Sequence, residues 1–385
     1  MKREIFSEEH ELFRAAFRRF AKSHVEPKIA EWNSSGQSDK ATWRAMGEAG
    51  YLGAAMPERY GGGGGDFLFQ AIVIEELAWM RAHALQTSLH SDICMPYLLH
   101  YGSEAQKESF LRKAITGELL VAIAMTEPGT GSDLAGISTR AVRDGDDYVL
   151  NGQKTFISNG QNCGLVIVVV KTDPGAQPAH RGISLILVET DRPGFERGRR
   201  LDKLGLRGQD TSELFFNDCR VPTTNLLGEE GKGFRYLMTQ LQQERLVIGV
   251  GSIASCRRSL ADTIEYVKQR KAFGRSIASF QNTQFKLAEL ATEVEIGQTF
   301  VDRLLAAHVR GEELVQEVSM AKYWTTELQK RLTSQCLQLF GGYGFMNEYP
   351  ISTDYADAAV QTIYAGTSEI MKLIIARRLG LDDDA

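Results

Sequence analysis

The chain has 385 residues, 43% of them hydrophobic, and its 44 basic and 49 acidic side chains leave a formal net charge of −5. That length supports two or three domains with a substantial core. The evenly mixed charge excludes a nucleic-acid groove or an anionic membrane surface as the main partner, so a small molecule or a protein is expected.

The first residues, MKREIFSEEH, are charged and amphipathic. They lack the basic tip, apolar run and small-residue cleavage site of a secretion signal. From Ser7 to about Gly117 the pattern is helical, with Phe13, Phe17, Phe20 and His24 recurring on one face. SEAQ at 103–106 has the form of a capping box. DFLFQAIVIEELAWM at 66–80 is apolar nearly all round, as a helix buried among helices should be, and YGGGGGD at 60–66 reads as a loop.

Near residue 119 the texture changes. LLVAIAM, TRAV, YVLNG, KTFIS, LVIVVVK, ISLILVE and LFFNDCRV are short, β-branched or aromatic, and divided by turn residues. They predict a small antiparallel β domain. The run LVIVVV at 165–170 is far shorter than the ~20 residues of a membrane helix, so no membrane insertion is expected. Helical periodicity returns over roughly 233–268, 280–310 and 313–340, followed by a GGYG loop and a shorter terminal helix. The expected domains are 1–118 (α-helical), 119–230 (β) and 231–385 (α-helical bundle). No alternating βαβ pattern supports a doubly wound dinucleotide fold.

Five cysteines (Cys94, Cys163, Cys219, Cys256 and Cys336) show no CxxC spacing, which fits free thiols in a reducing compartment, by default the cytoplasm. Seven histidines show no HExxH spacing, and no metal is expected.

Five segments could carry chemistry. AMTEPGTGSD at 124–133 ends a strand in a polar, Gly-rich turn whose donors suit a heteroaromatic edge or a phosphate; a loop that only redirects the chain has the same composition. KTFISNG at 154–160 puts Phe156 and Ser158 on one side of a strand, an aromatic to stack and a hydroxyl to donate. QRKAFGRSIASFQ at 269–281 gathers Arg270, Lys271 and Arg275 around Phe273, which suits a pyrophosphate and a planar base, or a solvated connector. IYAGTSEI at 363–370 is a tight turn before the last helix, and its Ala365 offers no side-chain chemistry.

LQQERLVIGVGS at 241–252 supplies what that turn lacks. Leu237, Leu241, Glu244, Ile248 and Gly251 share one helical face, so Glu244 points inward. No cation stands three or four residues from it, and Arg245 at i+1 cannot face it. A carboxylate on an apolar face has its pKa raised toward useful basicity; a cation from another helix would make it a structural pair instead.

With MTEPGTGSD, KTFISNG, RKAFG, FGGYGF followed by EYP, and YAGTSEI in this order, the sequence resembles the acyl-CoA dehydrogenases over essentially its whole length. The resemblance implies an α+β multidomain fold: an N-terminal α-helical domain, a middle antiparallel β domain and a C-terminal four-helix bundle. It also implies FAD held noncovalently between the last two. Met125, Thr126, Gly131, Ser132, Phe156 and Ser158 would hold the flavin, with Thr367 and Glu369 near its phosphate end. Arg270, Phe273, Gln281, Gln338 and Gly342 would contact FAD of a neighbouring subunit, since members are usually homotetramers built as a dimer of dimers.

Most members carry the catalytic Glu just before the Gly of a YEGTS motif, where this chain has Ala365. A minority, resembling the long-chain and isovaleryl enzymes, carry it before the Arg of an ERL motif, here Glu244. The implied reaction is fatty-acid β-oxidation chemistry: Glu244 removes the α-proton of an acyl-CoA thioester while a hydride leaves the β-carbon for flavin N5, giving the trans-2-enoyl-CoA. The Ala365 backbone N–H and a ribityl hydroxyl of FAD would bind the enolate oxygen, Arg245 and Ser132 the CoA arm, and Tyr364 would border the thioester. Electron transfer flavoprotein would be the oxidant.

The chain departs from the family pattern at Ala272, at Phe280, and at ADAA (356–359), where many members have RDAR or RDAK. The alternatives are a noncatalytic flavin- or acyl-CoA-binding protein, a nitroalkane-oxidase-like enzyme, which would have Asp at position 244, and an acyl-CoA-oxidase-like enzyme, generally much longer.

Overall fold

A computed structural model describes residues 3–381. Helix α1 (Glu8–His24) starts at Ser7, whose hydroxyl accepts the His10 N–H while the His10 ring takes the Ser7 N–H. Helices α2 (Ile29–Ser35) and α3 (Lys40–Glu48) follow, then α4 (Phe67–Trp79), buried from Gln70 through Ala78 as its all-round apolar sequence predicts. Its two acids do not break that burial. Glu75 takes hydrogen bonds from Arg3 and Arg14, and Glu76 from Arg14 and Arg18, at 2.6–2.9 Å, which ties α1 to α4.

A π-helical turn, Ser88–Cys94, runs into α5 (Met95–Tyr101). The short helices α6 (Glu104–Gln106) and α7 (Arg112–Ile115) flank a second π turn, and Ser103 and Gln106 form the expected capping box.

The middle segment forms one seven-stranded sheet: β1 (Val121–Ala124), β2 (Arg140–Asp144), β3 (Asp147–Ser158), β4 (Leu165–Lys171), β5 (Ile183–Glu189), β6 (Phe195–Arg200) and β7 (Thr211–Pro222). The order is β1-β4-β2-β3-β7-β6, with β5 also on β4. Most pairs are antiparallel; β1 runs parallel to β4, and β2 meets β4 in parallel at Arg140 and Lys171. YVLNG and KTFIS belong to the single strand β3, whose register against β7 slips between Lys154 and Ile157. Strand β4 is buried on both faces, so its apolar run does not alternate: Leu165, Ile167 and Val169 join one core, and Val166, Val168 and Val170 another.

The C-terminal segment holds α8 (Gly233–Gln269), a small hairpin of β8 (Lys271–Ala272) and β9 (Arg275–Ser276), α9 (Gln281–Val309), α10 (Val315–Phe340), α11 (Pro350–Gln361) and α12 (Ser368–Arg378). Helix α11, headed by Pro350, is additional to the elements expected from periodicity. Leu246, Val247, Val250 and Ile253 of α8 share a core with Leu68, Ala71 and Ile74 of α4 and with Val318 and Ala321 of α10. Each such aliphatic side chain contributes about 1.5–3 kcal/mol on burial, so this seam fixes the N-terminal helices on the bundle. Arg81 adds a clamp, bonding Asp262 and Asp354 at 2.6–2.7 Å.

Among the described residues, no helix is long and apolar enough to cross a membrane, and no group of His, Cys, Asp and Glu could hold a metal ion. All five cysteines are buried and unpaired.

Candidate active site

Glu244 lies in the buried face of α8, 4% exposed. One carboxylate oxygen accepts the Tyr97 hydroxyl of α5 at 2.9 Å. Burial pushes its pKa up to about 7, although Tyr97 and the charge of Arg245 favour the ionised form. Among the described residues no cation stands within ion-pair distance of it. Arg245 turns aside: its Nη1 donates to Ser319 Oγ on α10 at 3.5 Å, and its Nε is buried without a partner. The buried Cys94 thiol is pushed up by desolvation and by the charge of Glu244.

The turn before α12 is strained and firmly held. Ala365 has φ 50° and Gly366 φ 91°. A positive φ is unfavourable for alanine and persists only where surrounding contacts enforce it. Here Lys322 of α10 donates to the Gly366 carbonyl at 2.6 Å, Ser368 Oγ donates to Glu327 of α10 at 2.7 Å, and the Ser368 N–H reaches the Thr362 carbonyl at 3.0 Å. Thr367 caps α12 by accepting the Ile370 N–H, and the Tyr364 hydroxyl donates to Gln361 at 2.6 Å.

A cavity of about 640 Å³ separates this turn from the β domain. Thr126, Gly131 and Ser132 line it from the loop after β1, Phe156 and Ser158 from the end of β3, and Tyr364, Ala365 and Thr367 from the turn. Phe156 is 67% exposed and has φ 59°; the register slip in β3 turns its ring out of the core. The loop after β1 is pinned from beneath by Glu127, which pairs with Lys154 at 2.8 Å and accepts the Ser138 and Thr139 N–H groups. Against the penalty of burial, these partners hold the Glu127 carboxyl down to about 2.

Other expected residues stand elsewhere. Met125 packs into the core, and its carbonyl accepts from Lys154 at 3.1 Å; Glu369 is exposed in the first turn of α12. Arg270, Gln338 and Gly342 gather in a second cavity of about 520 Å³, where the Arg270 guanidinium lies 5.3 Å from the Tyr343 ring centroid. Phe273, 96% exposed at the tip of the β8–β9 hairpin, and Gln281, the first residue of α9, do not line that cavity.

Behind Tyr364 a narrow crevice of about 70 Å³ runs between α4, α8 and the π-helical turn, lined by Ile74, Leu77, Gln86, Val247, Ile248 and Gly251 among others. Tyr364 borders both the crevice and the large cavity. Glu244 sits one helical turn before Ile248.

Sequence reasoning missed the wall formed by Lys203, Leu204, Gly205, Leu206 and Gln209 between β6 and β7. KLGLRGQD does carry a loop signal in its two glycines. It also missed the reason ADAA is tolerated: Ala356 and Ala359 form part of the cavity wall, while Asp357 turns inward to accept the Leu206 N–H.

A cofactor-sized cleft, together with a buried carboxylate that has no cation, suits a flavoenzyme that oxidises a carbon–carbon bond next to an activating carbonyl. The chain matches the N-terminal domain of acyl-CoA dehydrogenase over residues 7–118, the middle domain over 122–219 and the C-terminal domain over 231–380. It is 48% identical over 380 residues to the mitochondrial long-chain specific acyl-CoA dehydrogenase of Mus musculus, covering 99% of this chain and 88% of that one. A crystal structure of acyl-CoA dehydrogenase from Geobacillus kaustophilus is 52% identical, with a TM-score of 0.97 over 98% of this chain and 100% of the other. A chain from the structure of the electron transferring flavoprotein of Acidaminococcus fermentans is 33% identical, with a TM-score of 0.93 over 98% and 99%. The chain belongs to the acyl-CoA dehydrogenase family, whose members are FAD-dependent oxidoreductases.

Proposed function

We propose that Glu244 is the base in the α,β-dehydrogenation of an acyl-CoA thioester to its trans-2-enoyl-CoA. The observation that carries this reading is a carboxylate buried without a cation, bonded to one tyrosine hydroxyl, a helical turn from a crevice bordered by Tyr364, which also borders the large cavity. A structural glutamate buried in this way would be paired.

The large cavity fits FAD. The exposed face of Phe156 suits stacking, Thr126, Ser132 and Ser158 offer hydroxyls, and the N-terminus of α12 at Thr367 suits a phosphate. Gly131 has no atom within 4 Å of where a Cβ would stand, which leaves room for a ligand. FAD supplies the acceptor for the hydride that leaves the β-carbon. The protein's own part is to take the proton and stabilise the charge left behind. Glu244 receives the α-proton, and the Ala365 N–H, fixed by its strained turn, donates to the thioester oxygen on which negative charge grows. Tyr364 stands where the thioester would pass from cleft to crevice, and Arg245 and Ser132 remain our candidates for the CoA arm.

We also assign Arg270, Phe273, Gln281, Gln338 and Gly342 to a neighbouring subunit's FAD in a homotetramer, supported by the gathering of Arg270, Gln338 and Gly342 around one cavity. The match to an electron transferring flavoprotein structure supports that class of protein as electron acceptor. Five unpaired cysteines fit a reducing compartment such as the cytoplasm.

Anaerobic mixing of the FAD-loaded protein with a panel of acyl-CoAs tests the reading. Bleaching of the flavin band is expected with at least one thioester and is lost in Glu244→Gln. Full bleaching in that variant excludes Glu244 as the base, and a chain that cannot take up FAD excludes the larger reading.

A further inference from the structure

Lys322 of α10 is 0% exposed. Its Nζ donates to the Gly366 carbonyl at 2.6 Å, and among the described residues no carboxylate stands within ion-pair distance of it. Glu327 and Glu369 act on it only as more distant charges, and Glu327 is already engaged by Ser368. An ammonium is costly to bury without a counter-charge, and a neutral amide or hydroxyl could hold a carbonyl at far smaller cost. A lysine here therefore brings a charge that the hydrogen bond alone does not require, at a site that opposes it.

Arg245 is the second, independent sign. It is 5% exposed, its Nε is buried without a partner, and its charge disfavours protonation of Lys322. Burial, the larger effect, and Arg245 together lower the Lys322 pKa to about 8, which leaves it mostly charged at neutral pH. Two cations, from α8 and α10, thus share one buried neighbourhood, and among the described residues neither has a carboxylate within ion-pair distance: the charge of Glu244 reaches Arg245, and those of Glu327 and Glu369 reach Lys322, only from farther off. That arrangement is relieved by an anion arriving beside the turn.

We propose that Lys322 is a positioning residue for the dehydrogenation: it fixes the Gly366 carbonyl, so aiming the Ala365 N–H at the thioester oxygen, and with Arg245 supplies positive charge toward which the enolate grows. The proposal rests on the reading of Glu244 and Ala365 above. As the Cα–H bond breaks, the proton goes to the Glu244 carboxylate and the electron pair moves toward the thioester oxygen. Negative charge therefore shifts from the Tyr97 side of the site to the Ala365 side. The β-hydrogen leaves as hydride to FAD, the oxidant of the family, and Lys322 neither gains nor loses a proton.

A 3-thia acyl-CoA isolates the proton step, because sulfur in place of the β-carbon has no hydride to give. Its α-deprotonation on the FAD-loaded enzyme is read as long-wavelength absorption against the oxidised flavin, titrated with pH. The midpoint is expected to rise by about one unit in Lys322→Gln, which keeps a donor for the Gly366 carbonyl but not the charge, a roughly tenfold loss of ligand acidity. In Lys322→Met the rise should be larger, and in Lys322→Arg the midpoint should return near wild type. FAD content checks that each variant is folded. A wild-type midpoint in Lys322→Gln overturns the proposal. The Glu244 reading fails separately, if wild type gives no absorption at any pH or Glu244→Gln gives it undiminished.

Discussion

Glu127 in the β domain and Glu244 in the bundle are both 4% exposed, yet one carboxyl is held near 2 and the other near 7. Burial opposes ionisation in both. What differs is the company: Glu127 has an ammonium and N–H donors from Ser138 and Thr139, whereas Glu244 has one phenol and a guanidinium that turns away. The first arrangement traps a permanent anion that pins a loop. The second leaves a carboxyl whose proton is held near neutrality, as the proposed base requires. With exposure to solvent equal, the depth of burial and the partners set the two carboxyls apart.

The sharpest way to break that contrast is to neutralise each acid without changing its shape. Glu244→Gln should slow flavin reduction by at least about 10³-fold, since general-base catalysis contributes up to about 10⁴, with FAD content unchanged; rapid-mixing absorbance checks this. Glu127→Gln should do the reverse. It strands Lys154, which is 1% exposed, and loss of one partner of a buried pair costs about 3–5 kcal/mol. A large fall in denaturation midpoint is expected, with flavin reduction per bound FAD retained. Equal losses of rate in the two variants would erase the distinction.

Stability should separate the pair again, with opposite sign. Because the folded-state pKa of Glu244 is raised, the native protein binds more protons there than the unfolded chain does. Stability from this site is therefore present below about 4.5 and lost as pH rises through about 7. Glu244→Gln removes that loss. Above pH 7 the variant should be more stable than wild type by ~2–3 kcal/mol, and near pH 4.5 by almost nothing. Urea unfolding of the holoenzyme at the two pH values measures it.

These roles were unequally legible in the sequence. The inward face of Glu244 follows from helical spacing alone, because no cation occurs at i±3 or i±4. Its partner does not, since Tyr97 lies 147 residues away on another helix. Lys322 looks like any solvated lysine in a long amphipathic helix until the turn 44 residues on closes over it. The β domain was legible where strands are apolar and opaque at β6, whose FERGRR is almost all charged or small. The parallel β1–β4 pairing depends on contacts across some forty residues, which no local signal encodes. The motif residues around the large cavity were found because turn chemistry is local: Thr126, Ser132 and Thr367 sit in loops whose Gly, Ser and Thr mark them.

The mildest perturbation is Tyr97→Phe. The hydroxyl donates to the Glu244 carboxylate and so favours its charged form, while the ring remains to fill a fully buried site. Removing one hydrogen bond to a charged group is worth about 1.5–3 kcal/mol in total, part of which water entering the crevice would restore. An upward shift of about one unit is expected in the lower limb of the kcat/KM profile, because the base must now be ionised with less help. The rate on the alkaline plateau should hold or rise slightly, as a less stabilised carboxylate is the stronger base. A limb that stays where it was would mean that some group other than Glu244 sets it, and the contrast between the two buried acids would then lose its chemical half.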